Sequence, residues 1–310
     1  MCGLFGFLNY GGAVIKDLKQ LTNALAEQSA VRGTDATGIA FNGNGGMCIL
    51  KESKPAHQLN FKHSDYVRAL IGHTRHSTQG SEKKNYNNHP FAGTCRNTKF
   101  ALAHNGVLYN DAELKKELFL PRTKIETDSF VAVQLLEKKK ELGFDSLRYM
   151  AEKVRGSFSF SIVDEGNNIY LVKGDSPLSI IRFPGLKLIV YASTDKILYR
   201  AITDTALFAE LKKGAFEEIH ISDGEILKLC PDGRIETERF SYREYFGKCW
   251  WDYGCFSDRG AFMMEDGATG DYIDDLKSTA SYYGYSPTEI DEMLAQGFSP
   301  FEIEELLYEF

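Results

Sequence analysis

The sequence predicts an α+β fold, and three observations carry that expectation. Strand-like and helix-like segments come in blocks and not in strict alternation. No G-x-G-x-x-G follows a strand-like run and no G-x-x-x-x-G-K is present, which argues against a doubly wound nucleotide-binding sheet. The 310 residues, 43% hydrophobic and 25% charged, suffice for one large domain or for one domain with a small module.

Taken in order, the mostly apolar run 2–9 reads as a first strand. Residues 14–31 read as an amphipathic helix, with Leu18, Leu21 and Leu25 at spacings of three and four. Gly38–Phe41 and Met47–Lys51 form a hairpin pattern around Asn42-Gly43-Asn44-Gly45-Gly46. Ile71–His73 and Phe100–Ala103 are short apolar runs that end in polar, turn-prone motifs, and 127–140 and 145–154 read as helices. Strand patterns then take over at 157–163, 169–172, 178–182 and 186–192, followed by a helix over 194–202. The runs 217–230 and 234–240, with Asp232-Gly233 as their turn, close this half. Residues 241–270 read as an irregular connector. In the tail, 271–310, the segment from Gly284 to Leu294 is echoed thirteen residues later by Gly297 to Leu307. Each copy opens with Ser, then Pro, then Glu three residues after the Ser, which is a capping-box start. Two short helices joined at Gly297 are expected there, too small to be stable unless they dock.

Composition excludes several function classes. No run of 18 apolar residues could span a bilayer, and no charged-then-apolar leader opens the chain. The six cysteines are scattered, without C-x-x-C or a disulfide framework, which points to a reducing cytoplasm and to neither disulfides nor metal. Cys249 and Cys255 read as small buried hydrophobes. The formal charge of −7 divides into −11 over residues 265–310 and +4 over the rest. That is not the clustered Lys/Arg footprint of a nucleic-acid binder, and the acidic tail is either a solvated surface or a docking element for a basic partner.

The chemistry-bearing residues start at position 2. Removal of Met1, which the small Cys2 side chain permits, would leave a thiol and a free α-amine on one residue. An α-amine with a pKa near ~8 is a built-in general base for that thiol. Four further segments accompany it. They are Gly72-His73-Thr74-Arg75-His76-Ser77-Thr78-Gln79-Gly80, Asn88-His89-Pro90-Phe91, Ala103-His104-Asn105-Gly106 and Glu126-Thr127-Asp128-Ser129. Singly, each has a structural reading: Arg75 in an ion pair, Asn105-Gly106 as a turn, Asp128 as a helix cap.

Together with Cys2 and Arg32-Gly33-Thr34-Asp35-Ala36-Thr37-Gly38, in this order, they resemble the glutaminase domain of class II glutamine amidotransferases, over residues 2–240. Gly156-Ser157-Phe158-Ser159-Phe160, Lys173-Gly174-Asp175-Ser176-Pro177 and Ala192-Ser193-Thr194 are similar to that family too. The resemblance implies a four-layer αββα sandwich of the N-terminal-nucleophile hydrolase type, here followed by a short helical tail. It implies Cys2 as nucleophile, Asn105 and the Gly106 N–H as oxyanion hole, Arg75 for the α-carboxylate of L-glutamine, and Asp128 for its α-ammonium. Thr78 adds a contact to the carboxylate end, and Arg32, Asp35, His76, His89 and His104 support the site. No cofactor and no metal are implied. His76 stands where a Trp is common, Gln79 where a His is common, and Phe130 where an acidic residue is common. These departures concern the shape of the glutamine lid.

The residues outside the glutaminase-like body are too few for a sugar-phosphate isomerase or phosphoribosyltransferase domain, and no S-G-G-x-D-S pyrophosphatase loop is present. The expectation is a stand-alone glutaminase subunit that passes ammonia to a separate synthase, docked through 271–310. Two alternatives stand beside it: a hydrolase of the same fold acting on γ-glutamyl or other amides, and a non-catalytic binding or regulatory protein that keeps the fold.

Overall fold

The computed structural model describes residues 2–12, 15, 18–242, 273, 276, 277, 280, 285–296, 298 and 303. The chain divides into two units, residues 1–252 and 253–310.

The first unit is built on two antiparallel sheets. Among the described residues, one sheet has seven strands: β1 (Gly3–Asn9), β2 (Ala36–Gly43), β3 (Gly46–Glu52), β4 (Ala69–Arg75), β9 (Ser179–Phe183), β10 (Leu188–Ala192) and β11 (Glu217–Ile219). Their spatial order is β11-β9-β10-β1-β4-β2-β3. The other has six: β5 (Phe91–Cys95), β6 (Thr98–Leu108), β7 (Gly156–Asp164), β8 (Ile169–Lys173), β12 (Glu225–Leu229) and β13 (Ile235–Arg239), in the order β13-β12-β8-β7-β6-β5. Helices α1 (Leu18–Ser29) and α5 (Asp195–Thr203) cover the first sheet. Helices α3 (Phe130–Lys139) and α4 (Phe144–Lys153) cover the second.

Strand periodicity explains the layering. Successive side chains of a strand point to opposite faces, so Phe5 and Phe7 of β1 pack under α1 and α5, while Leu4 and Leu8 enter the layer between the sheets. In β10, Leu188 and Val190 face the helices and Ile189 and Tyr191 face the opposite sheet. The second sheet repeats the rule, with Phe100 and Leu102 under α3 and α4 and Ala101 and Ala103 turned inward. Three apolar layers follow, helix–sheet, sheet–sheet and sheet–helix. A strand buried on both faces is apolar along nearly its whole length, as β10 is and as β1 is up to its last residue, Asn9. This is the four-layer αββα sandwich.

The inner layer also carries polar links. The Tyr191 and Ser161 hydroxyls lie 2.5 Å apart across the two sheets. Nε2 of His73 in β4 lies 2.9 Å from the His104 carbonyl of β6. These links fix the register of one sheet over the other at the end where the candidate site lies.

Three details differ from the sequence reading. Residues 217–230 are not one strand: β11 joins the first sheet and β12 the second, broken where Gly224 adopts φ +79°. Asn105-Gly106 is not a turn after a strand, because β6 runs through it to Leu108 and pairs Gly106 with Phe158. Two short helices were not anticipated, α2 (Asp111–Glu117) and α6 (Phe208–Lys212).

The second unit contains a helix over Pro287–Ala295, with Ser286 accepting from the Glu289 N–H at 3.3 Å and Glu289 accepting in return from the Ser286 N–H at 2.6 Å. Ile290 packs with Leu276, Ala280 and Ile303. Most of the connector 241–270, Gly297, Cys249, Cys255, Met1 and the bulk of the second repeat lie outside the described residues. Among the described residues no helix is long and apolar enough to cross a membrane.

Candidate active site

Strand register brings the motifs together. β1 and β4 are antiparallel neighbours, with Gly3 opposite Thr74, and β2 places Ala36 opposite Arg75. Cys2, Arg75 and the 32–35 turn therefore meet at one end of the first sheet. The His73 to His104 contact brings β6 over the same end, so Asn105 and Gly106 follow just where Thr74 and Arg75 do.

Cys2 is 9% exposed. Its Sγ lies 3.4 Å from both the N–H and the carbonyl of His76. Burial pushes the thiol above its ordinary range, with the His76 backbone and the Arg75 charge pulling it down and Asp128 pushing it up. Arg32 Nε donates to the Cys2 carbonyl at 2.8 Å. Asp35 takes the Ser77 N–H at 2.7 Å while its own N–H reaches the Arg75 carbonyl at 3.0 Å. Gly33 packs directly on that backbone, where a Cβ would sit 2.3 Å from the Arg75 carbonyl carbon. The 32–35 turn thus pins both Cys2 and the 75–77 segment.

Arg75 is buried, and its guanidinium meets three neutral acceptors. Nη1 donates to Asn88 Oδ1 at 2.6 Å, and Nη2 donates to the Gln79 and Gly80 carbonyls at 2.7 Å each. Among the described residues it has no ion pair. Burial lowers its pKa, and the charges of Cys2, Asp35, Glu82 and Asp128 act against that. An interior cation held only by neutral acceptors is costly unless an anion joins it.

Asp128 is buried as well. Oδ2 accepts from the Leu108 N–H at 2.6 Å and Oδ1 from the Ser129 hydroxyl at 3.3 Å, so Asp128 ties the start of α3 to β6 and does not cap its own helix by side chain. Asn105 is fully buried, and among the described residues neither its Oδ1 nor its Nδ2 has a hydrogen-bond partner. Gly106 has φ +134°, and a Cβ there would lie 1.9 Å from the Ser157 carbonyl oxygen, so only glycine fits. Thr78 is exposed on the 76–80 loop, and His76 is half-buried beside the thiol.

His73, His89 and His104 form a buried row, with 4.1 Å between the first two ring centres and 6.5 Å between the last two. Burial drives His73 down to about 3 and His89 and His104 below their ordinary range. All three are neutral at pH 7. His104 Nδ1 is 2.8 Å from the Ser129 hydroxyl. Among the described residues no group of three His, Cys, Asp or Glu is placed to hold a metal ion.

Sequence reading gave no role to Asn88, Lys51, His73 or Ser129. His73 was visible inside its motif. Asn88 sits immediately before His89-Pro90, which is a signal, but nothing in the spacing ties it to Arg75. Lys51 lies on a strand edge far from any motif.

The glutamine amidotransferase domain family matches residues 73–200. Glutamine–fructose-6-phosphate aminotransferase (isomerizing) of Bacillus thuringiensis subsp. konkukian (strain 97-27) is 34% identical over 188 residues, covering 58% of this chain and 30% of that enzyme. The enzyme of that name from Thermococcus kodakarensis is 30% identical over 249 residues, covering 74% and 39%. The chain thus spans about a third of the length of these relatives. Among solved structures, a B. subtilis glutamine phosphoribosylpyrophosphate amidotransferase superposes with a TM-score of 0.60 at 23% identity, over 78% of this chain and 50% of that one, a likeness of fold. With family match, relatives and layer order in agreement, the chain carries a class II glutamine amidotransferase domain of the N-terminal-nucleophile fold.

Proposed function

We propose that this chain hydrolyses the side-chain amide of L-glutamine to glutamate and ammonia, with Cys2 as nucleophile. The observation that carries the reading is the buried Arg75 guanidinium, without an ion pair among the described residues, beside a buried thiol and a buried Asp128 carboxylate. That pair of opposite charges matches the carboxylate and ammonium ends of a free amino acid.

Once Met1 is removed, the α-amine of Cys2 takes the thiol proton, and sulfur attacks the amide carbon. The negative charge that develops on oxygen meets the Asn105 side-chain amide, which has no other partner among the described residues, and the Gly106 N–H. One such donor is worth roughly 3 kcal/mol of barrier. The Cys2 ammonium then protonates the leaving nitrogen, and ammonia departs from a thioester. Water, deprotonated by the same amine, releases glutamate and restores the thiol. The histidine row is a weaker base than the amine: burial lowers all three pKa values, His73 to about 3. Arg32 and Asp35 fix the nucleophile's backbone, and His76, Thr78, His89 and His104 shape the pocket around it.

The proposal extends to the fate of the ammonia, which passes to a synthase on another protein that docks on the acidic segment 271–310. Deleting 271–310 should abolish that complex and spare glutaminase turnover, and complex formation without the segment would overturn the docking claim. Turnover of γ-glutamyl compounds at least as fast as that of free glutamine would overturn the substrate.

A further inference from the structure

Arg75 cannot orient itself. A guanidinium in a buried site needs its unused N–H groups aimed at the substrate, and its position is set by the acceptors behind it. Two of these acceptors are carbonyls of the 76–80 loop, where Thr78 and Gln79 are exposed. The third, Asn88 Oδ1, is different in kind. Asn88 is fully buried, and its amide is locked from every side. Nδ2 donates to Ser53 Oγ at 3.1 Å, the Glu82 carbonyl at 2.9 Å and Asn85 Oδ1 at 3.1 Å. With acceptors crowding the nitrogen, only the oxygen can face Arg75. The Asn88 backbone carbonyl in turn receives Lys51 Nζ at 2.5 Å, and the same ammonium reaches the Pro90 backbone carbonyl at 3.0 Å. Lys51 thus clamps the 88–90 turn from β3.

The choice of amide over acid has a consequence. A carboxylate at this place would neutralise the guanidinium and compete with an incoming carboxylate. The amide holds Arg75 by a strong charge-assisted bond while leaving its charge available. We propose that Asn88 is the positioning residue of Arg75: the locked amide, carried on a turn whose backbone Lys51 clamps, aims a guanidinium without an ion-pair partner among the described residues at the α-carboxylate of the substrate. This inference rests on the glutaminase reading above.

The test compares purified full-length wild type, Asn88→Asp and Asn88→Ala. It uses KM and kcat for L-glutamine, the rate of iodoacetamide alkylation mapped to Cys2 by mass spectrometry, and a thermal melt. Iodoacetamide has no carboxylate and reports the thiol pocket alone. Asn88→Asp is nearly isosteric and should raise KM at least about tenfold, with kcat within about threefold and the Cys2 alkylation rate unchanged. Asn88→Ala should raise KM by a smaller factor. Unchanged KM in both variants overturns the inference and leaves the glutaminase reading intact. Parallel loss of kcat and of Cys2 alkylation overturns it too, by showing a merely structural role. If either variant fails to fold, the other is read by the same criteria, and misfolding of both counts as that structural outcome. A wild type that does not turn over glutamine overturns the reading and the inference with it.

Discussion

Asn105→Ala separates stability from chemistry. Both polar atoms of the Asn105 side chain are buried without a partner among the described residues. Taken as one amide group, that side chain costs about 1–3 kcal/mol relative to water. Truncation removes that cost and leaves a cavity of a few heavy atoms, a penalty of about 1–2 kcal/mol. The two terms nearly cancel, so the variant should melt within about 4 °C of wild type, on the scale of 2–4 °C per kcal/mol for a domain of this size. The transition state is another matter. Loss of one oxyanion donor should lower kcat about 10²- to 10³-fold, or about 2.7–4 kcal/mol of barrier, with a much smaller change in KM. Differential scanning calorimetry and steady-state glutamate release measure the two quantities on one preparation. A drop of more than about 8 °C in Tm would show that Asn105 has structural work not visible in its contacts. A fall in kcat of less than about tenfold would refute its placement at the developing charge.

Gly106→Ala should act on the fold itself. A Cβ 1.9 Å from the Ser157 carbonyl, at φ +134°, forces β6 and β7 apart, and a loss of at least about 3 kcal/mol is expected in urea unfolding. Stability should also fall steeply in mild acid. His73, His89 and His104 are neutral in the fold because burial lowers their pKa values, whereas the unfolded chain protonates them near ~6.5. The unfolded state therefore binds more protons below that pH, and stability declines as pH falls from about 6.5 towards 3 for His73, about 1.4 kcal/mol per pH unit, with His89 and His104 acting in the same direction. Urea midpoints at pH 6 and pH 5 check this, and a slope of about 1 kcal/mol per unit or less would mean that the row is charged or open to water.

Much of the fold was legible because its strands obey simple rules. The apolar run of β1, the hairpin of β2 and β3, the Leu18-Leu21-Leu25 stripe of α1 and the Ser286-Pro287-Glu289 helix start all follow from local periodicity and capping. What local pattern does not show is which sheet a strand joins. The run 217–230 reads as one strand, yet its Ser222-Asp223-Gly224 turn breaks it and sends β11 and β12 to different sheets. Asn105-Gly106 has turn chemistry, but its positive φ is spent inside a strand, where the partner backbone at Ser157 leaves no room for a side chain. The helices α2 and α6 are only seven and five residues long, too short for periodicity to announce. At the candidate site, residue types and order along the chain named Cys2, Arg75, Asn105, Gly106 and Asp128. The contacts of Asn88 and Lys51 depend on tertiary packing alone, and no spacing in the sequence encodes them.

The central claim is that Cys2 becomes an N-terminal nucleophile in a pocket shaped for glutamine. The most direct measurement is the intact mass of the purified protein with and without the glutamine analogue 6-diazo-5-oxo-L-norleucine, followed by peptide mapping. The predicted result is loss of Met1 and one covalent adduct, on Cys2. A chain that keeps Met1 and takes up no adduct would contradict the claim and favour a protein that retains the fold without the chemistry.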